Sequence, residues 1–335
     1  MVSENKYPKV SVVIPCLNEE KHIEKCLLSI LNNDYPPDKL EIIVADGGST
    51  DNTLAVLKEV GRCYPQRLTV INNPKQRQAP GLNLAINQAQ GDMIIRMDAH
   101  AYCPPNYIKT MMEWLGKSQA DNVGPTIDIK PGNSSISARA IAMGVQSPFG
   151  IGSVWYRLGV AEPGWVNTVP FGAFHRKLFD RIGYFSEDLY WSEDYEFNLR
   201  IRENGGRILL VPFAPVTYWA RTSIKQLALQ YLRYGFGKSN VMLRNRSLKS
   251  WWQLIPPLFL LFLLLGAILR HFSWWVDVLI LMVLLAYVSL SILFSLRSTI
   301  LKKDAAGILL PLVFAVIHFS FGAGFWLRIL GARLR

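Results

Sequence analysis

Acidic residues are nearly missing from the last third of this chain. Residues 221–335 hold 14 Lys or Arg against two acids, Asp277 and Asp304, a net of +12. Residues 1–220 carry 22 bases and 23 acids, so the overall charge of +11 belongs to the C-terminal third, where the long apolar runs also lie. Bases beside apolar spans point to anionic lipid headgroups rather than to nucleic acid. No basic-aromatic pattern or nucleic-acid module occurs before residue 221. Cysteine is scarce: Cys16, Cys26, Cys63 and Cys103 are scattered, with no C-x-x-C pair. That usage argues for a reducing, cytosolic setting and against a disulfide framework. The polar stretch from Met1 to Pro8 lacks the apolar core of a signal peptide, so the soluble part is expected to stay unexported. A G-x-G-x-x-G fingerprint is missing too, and the Gly47-Gly48 turn does not supply one, which disfavours a nicotinamide dinucleotide site.

What is present begins as an alternating α/β pattern. Val10 to Pro15 is a β-branched run of buried-strand type, followed by helical spacing through Ile23, Leu27, Leu28, Ile30 and Leu31 that Tyr35-Pro36-Pro37 stops. Glu41 to Asp46 reads as a second buried strand, and Gly47-Gly48-Ser49-Thr50-Asp51 as a glycine turn whose polar residues cap the next helix. A third strand, Leu68 to Ile71, and a helix around Leu82 to Ala89 lead to a fourth strand running into Asp98 and His100. Strand and helix in this alternation specify a mostly parallel sheet with right-handed crossovers.

The carboxyl edge of such a sheet is a ligand crevice, and Glu19, Asp46 and Asp98 fall at the ends of the first, second and fourth strands. In extended backbone, Asp98 and His100 would leave the strand on one side. A carboxylate with an imidazole suits Mg²⁺ or Mn²⁺ held together with substrate phosphates. Residues 121–165 are irregular, and Ser147 to Tyr156 suits either an acceptor or lid segment or an ordinary insertion. Ser192 is placed to cap a helix running to about Glu203, where Gly205-Gly206 ends it. Glu193 and Asp194 fall in its first turn, where acids favour the helix dipole. The alternative is that one of them is a general base in a cleft lined by Phe171, Tyr190 and Trp191.

From Arg221 to Lys249 there are seven bases and no acids. Ile224, Leu227, Leu229, Tyr231 and Leu232 interleave with polar residues as in an interfacial amphipathic helix. Three apolar spans follow, at about 251–269, 276–296 and 308–330, with Trp251, Trp252, Trp274 and Trp275 at their ends. Arg297, Lys302 and Lys303 put the second loop on the cytoplasmic side. A third crossing would leave Arg333 and Arg335 outside, so span three either crosses, re-enters or packs tightly through Gly322 and Gly324.

Five ordered motifs now stand together: Val12-Val13-Ile14-Pro15 with Asn18-Glu19, Val44 to Asp51, Met97-Asp98-Ala99-His100, Ser192-Glu193-Asp194, and Gln230-Tyr231-Leu232-Arg233-Tyr234. In these the chain resembles family 2 glycosyltransferases, inverting enzymes with a single nucleotide-sugar-binding α/β domain of the GT-A type. Within that family it is most similar to the glucosyltransferases of succinoglycan-type exopolysaccharide synthesis. The resemblance implies that Pro15, Glu19 and Asp46 frame a uridine. It implies that Asp98 contacts the nucleotide-sugar and, with His100, holds the metal. Asp194 would deprotonate the acceptor hydroxyl, and Glu193, Gln230, Arg233 and Tyr234 would lie near the diphosphate or acceptor. Two departures stand out. The metal motif ends in His100 where the family usually has Asp, leaving Mg²⁺ and Mn²⁺ both open. Tyr234 replaces the usual Trp, which accompanies processive synthesis.

The expected organisation is therefore a GT-A catalytic domain over 1–220, a basic interfacial segment over 221–250 and a region of about three membrane helices over 251–335. The expected activity is transfer of a sugar from a UDP-hexose to a polyprenyl-diphosphate-linked saccharide at the cytoplasmic face of the inner (plasma) membrane. Anionic lipids are expected as further partners. A processive polysaccharide synthase is the alternative within this chemistry; a nucleotidyltransferase and an inactive membrane scaffold are the alternatives outside it.

Overall fold

The computed structural model describes residues 7–245 and 251–334. Arg246 and Lys249 of the basic stretch, Arg335, and residues 1–6 of the polar N-terminus lie outside the described residues.

The chain opens with β1 (Val10–Cys16), α1 (Ile23–Leu31), β2 (Leu40–Asp46), α2 (Thr53–Cys63), β3 (Leu68–Asn72), α3 (Gln78–Gln88), β4 (Met93–Arg96) and α4 (Tyr107–Lys117). It continues with β5 (Asn122–Lys130), α5 (Ile136–Gly144), the short α6 (Pro148–Ile151) and α7 (Trp155–Leu158), β6 (Gly164–Trp165) and β7 (Ala173–His175). Then come α8 (Lys177–Ile182), α9 (Glu193–Glu203), β8 (Ile208–Trp219), α10 (Ile224–Asn245), α11 (Ile255–Leu269), α12 (Trp274–Lys302) and α13 (Leu310–Ile329). Two compact units result: residues 1–128 with 159–218, and residues 129–158 with 219–335.

The first unit is built on the eight-stranded sheet, in the order β3-β2-β1-β4-β7-β5-β8-β6. β3, β2, β1 and β4 run parallel, while β7 is antiparallel to both β4 and β5. β1 and β2 are buried along nearly their whole length, as strands covered on both faces should be. α1 buries Ile23, Cys26, Leu27, Ile30 and Leu31, a stripe at helical spacing. The order 3-2-1-4 makes the chain reverse direction across the sheet at β1. The crevice at the carboxyl ends of β1 and β4 is therefore the switch point at which such sheets take ligands.

Among the described residues of the second unit, three stretches are long and apolar enough to cross a membrane: Trp251–Leu269, Trp274–Lys302 and Ala305–Ile329. Trp251, Trp252, Trp274 and Trp275 all expose half or more of their surface. α10 buries Leu227, Tyr231, Gly235, Phe236 and Val241, while Leu229 of the expected apolar stripe is exposed. The buried face packs on α13 rather than lying open, and the helices meet backbone to backbone. A Cβ at Gly235 would run into the Phe321 carbonyl, and one at Gly324 into the Leu232 carbonyl. Small residues permit such close approach of helix backbones, and α13 is one unbroken helix.

Candidate active site

Two loops at the carboxyl ends of β1 and β2 are stitched together. Asn18, in the left-handed region at φ 55°, accepts Thr50 N on Oδ1 at 2.8 Å, and its own N–H donates to Ser49 Oγ at 2.8 Å. Glu19 N donates to Thr53 Oγ1 at 2.7 Å. Asp46 is buried and spends both oxygens on its own turn: Oδ2 accepts Gly48 N and Ser49 N, and Oδ1 accepts Ser49 Oγ at 2.6 Å. Of the polar residues expected to cap α2, Asp51 does so and Ser49 does not. Ser49 turns back to Asp46, while Asp51 Oδ1 accepts Thr53 N, the first N–H of α2, at 3.0 Å. Pro15 lies in β1 opposite Ala45.

β4 ends at Arg96, and Asp98 to Ala101 form a turn closed by Ala101 N on Asp98 O at 3.0 Å. The extended geometry that would send Asp98 and His100 off one face is absent. His100 reaches the other side of the switch point, where Nδ1 lies 2.9 Å from Glu19 Oε1. His22 Nδ1 lies 2.7 Å from Tyr102 Oη nearby. Burial holds His22 below the usual histidine range, against the pull of Glu19.

Arg96 is the residue that sequence reasoning missed. Its side chain is 7% exposed, yet it meets three carboxylates. Nη2 donates to Asp98 Oδ1 at 3.0 Å and to Glu193 Oε1 at 3.4 Å, and Nη1 lies 3.6 Å from Asp194 Oδ2. Burial alone would weaken its charge. Asp98, Asp194 and Glu193 outweigh burial and hold Arg96 firmly protonated. A lone cation inside the apolar run Ile94-Ile95-Arg96-Met97 was the available signal, since an arginine there must be paired. Gln78, which donates to Asp98 Oδ1 at 3.1 Å, left no such signal.

Glu193 and Asp194 open α9 but differ sharply. Glu193 is 5% exposed, and burial with the Asp194 charge pushes its carboxyl up to about 7. Asp194 keeps 38% of its side chain exposed, with Oδ1 accepting Tyr195 N at 2.7 Å. Ser192 stands at the cap position in left-handed conformation and makes no side-chain capping bond; its carbonyl accepts Glu196 N at 3.0 Å. Of the expected cleft lining, Phe171 is buried in the core and its carbonyl accepts Tyr107 Oη. Tyr190 is exposed and stacks under Arg77, whose guanidinium carbon is 4.9 Å from the ring centre.

The first unit thus brings Glu19 to His100, and Asp98, Glu193 and Asp194 to one arginine. Gln230, Arg233 and Tyr234 belong to the second unit, on α10, where Gln230 Nε2 donates to Tyr234 Oη at 3.0 Å. A cavity of about 340 Å³ lined by Asp121, His175, Lys177 and Arg181 lies at the opposite edge, since His175 pairs with Met93 at the start of β4.

Carboxylates and an imidazole thus gather at the switch point of an α/β sheet, the crevice where such sheets take ligands. Comparison with known proteins sharpens this. The glycosyl transferase family 2 profile matches residues 11–183, and the chain belongs to that family. Over 95% of its length it is 29% identical to the dolichyl N-acetyl-alpha-D-glucosaminyl phosphate 3-beta-D-2,3-diacetamido-2,3-dideoxy-beta-D-glucuronosyltransferase of Methanococcus voltae, covering 96% of that protein. It is 28% identical over 97% of its length to the succinoglycan biosynthesis protein ExoA of Rhizobium meliloti, again covering 96%. Among solved structures it is similar to the mannosyltransferase PcManGT of Pyrobaculum calidifontis in complex with GDP-Man and Mn²⁺. The TM-score is 0.64 at 20% identity, over 96% of this chain and 87% of that one. That likeness establishes the GT-A fold expected from the motifs.

Proposed function

We propose that this glycosyltransferase moves a hexose from a UDP-sugar to a polyprenyl-diphosphate-linked saccharide, one sugar at a time and with inversion, at the cytoplasmic face of the plasma membrane. The observation that carries the reading is the placement of Asp194. It is partly exposed at the head of α9 and faces the same buried arginine that holds Asp98. Asp194 takes the proton of the acceptor hydroxyl, the freed oxygen attacks the anomeric carbon, and the bond from that carbon to the UDP oxygen breaks. Asp46 shapes the turn that receives the base, with Pro15 and Glu19 beside it. Glu193, Gln230, Arg233 and Tyr234 serve the diphosphate or acceptor.

Among the described residues no three His, Cys, Asp or Glu side chains converge on a point that would hold an ion. Two protein ligands, with the rest drawn from substrate phosphates and water, are the usual arrangement for Mg²⁺ and similar cations. Asp98 and His100 are the pair assigned to that role: both are partly exposed, the Arg96 and Gln78 bonds to Asp98 both fall on Oδ1, and His100 would turn from Glu19 to join it. They would hold Mg²⁺ or Mn²⁺, which when bound offsets the charge on the departing diphosphate.

The acceptor class is supported by the name of the Methanococcus voltae relative, which specifies a dolichyl-phosphate-linked sugar. Membrane placement is supported by the three apolar helices and by exposed Arg221 and Lys225, which suit anionic headgroups.

The test is nucleoside diphosphate release from a panel of sugar nucleotides, using the full chain in native-like membranes with Mn²⁺, Mg²⁺ or chelator. Metal-dependent UDP release from one donor, with a product one sugar longer, is expected. Asp194→Asn should lose release while binding the donor normally. Full transfer by that variant refutes the base assignment, a ladder of products refutes single addition, and release of diphosphate alone refutes sugar transfer.

A further inference from the structure

Resting on the roles just given to Asp98 and Asp194, we propose that Arg96 is a positioning residue that fixes the base against the donor-side carboxylate. Arg96 closes β4, where its N–H donates to Gly172 O at 3.0 Å and it pairs with Val13 of β1. Its backbone is therefore held on both sides by the sheet. Its guanidinium reaches forward to Asp98, two residues on, and across to Glu193 and Asp194 at the head of α9. No other cation is paired with any of these three carboxylates among the described residues. The strand and the helix are thus registered to each other, at the site, through one planar fork.

The distances divide the work. Asp98 and Glu193 sit at hydrogen-bonding or near-hydrogen-bonding separation, whereas Asp194 at 3.6 Å is attracted without being capped. With Oδ1 on Tyr195 N, the Asp194 carboxylate is oriented from both ends, while Oδ2 still has lone-pair capacity for a substrate proton. A lysine would keep the charge but not the fork, and so cannot reach three carboxylates from two separate nitrogens. A purely structural ion cluster would show itself in stability and not in turnover of the folded molecules.

The experiment uses the full chain in native-like membranes as Arg96→Lys, Arg96→Ala and Asp194→Asn. UDP release gives kcat and donor KM, and UDP binding by the same samples counts intact sites. For Arg96→Lys, kcat per intact site should fall about 100-fold, the scale of an ångström's misplacement, with a far smaller change in KM. Added guanidinium should restore part of the turnover of Arg96→Ala. Wild-type kcat per intact site in Arg96→Lys, beside an inactive Asp194→Asn, overturns the proposal alone. An activity loss that merely follows the loss of UDP-binding sites overturns it as well. Full turnover by Asp194→Asn overturns the base assignment and this proposal together.

Discussion

Replacing Glu193 by Gln should change how the stability of the catalytic unit depends on pH. Burial first, and the Asp194 charge second, raise the Glu193 carboxyl from its ordinary 4.5 to about 7, with Arg96 offsetting part of this. A carboxyl whose folded value lies above its unfolded value binds its proton more tightly in the native state. Its stabilising contribution is fully present below pH 4.5 and is lost as the pH rises through the window from 4.5 to about 7. That window corresponds to about 3 kcal/mol. Glutamine occupies nearly the same volume and carries no such proton, so the variant lacks this part of the pH dependence. Its lost contact with Arg96 is a nearly constant offset, and every other titrating group is shared by the two proteins. Relative to wild type, Glu193→Gln should therefore gain about 3 kcal/mol across the window. For a domain of this size 1 kcal/mol moves Tm by about 2–4 °C, so the gap between the two melting temperatures should shift by roughly 10 °C. Thermal unfolding of both proteins in identical nanodiscs, from pH 4.5 to above 7, measures it. A gap that stays constant with pH refutes the buried, proton-holding Glu193.

Three further outcomes are expected. His100→Ala should raise the Mn²⁺ concentration for half-maximal UDP release about tenfold or more, and an unchanged titration returns His100 to a turn residue. Phe197 is 1% exposed and stacks on Phe185 at 4.4 Å under α9, so Phe197→Ala should cost about 3–5 kcal/mol in denaturation of the catalytic unit. Gly324→Ala should lower Tm in detergent because its Cβ has only the Leu232 backbone to move into, whereas Gly61→Ala, whose nearest neighbour is 3.9 Å away, should raise stability by about 0.5–1 kcal/mol. Equal effects of the two alanines would remove the close contact between α10 and α13.

Much of the parallel half of the sheet could be read from local pattern. Buried β-branched runs and helical stripes placed β1, α1, β2 and β3 within a residue or two, because each is set by burial periodicity close in sequence. The three apolar spans were equally plain, since length and hydropathy suffice. The antiparallel half was not legible: β6 and β7 are two and three residues long and exist only through pairing with distant strands. Residues 129–158 group with the C-terminal unit through contacts such as Arg139 on Asp304 and His318 Nε2 on the Phe149 carbonyl. Those partners lie 165 and 169 residues apart, and no local window reports them.

The departure of Asp98 and His100 from strand geometry has a physical cause that bears on the site itself. Period-two alternation holds only while a strand is paired, and β4 keeps its register with β1 only to Arg96 opposite Val13. β1 continues to Cys16 beside β2, so the two neighbours part company at the switch point. The chain after Arg96 must turn, and the turn carries His100 to Glu19 while Asp98 stays with Arg96. An open crevice requires that the strands stop sharing hydrogen bonds there. The same loss of pairing that defeats the strand pattern makes room for a ligand. It also leaves Arg96, the last residue in register with β1, as the group on which the carboxylates of the β4 turn and of the head of α9 close.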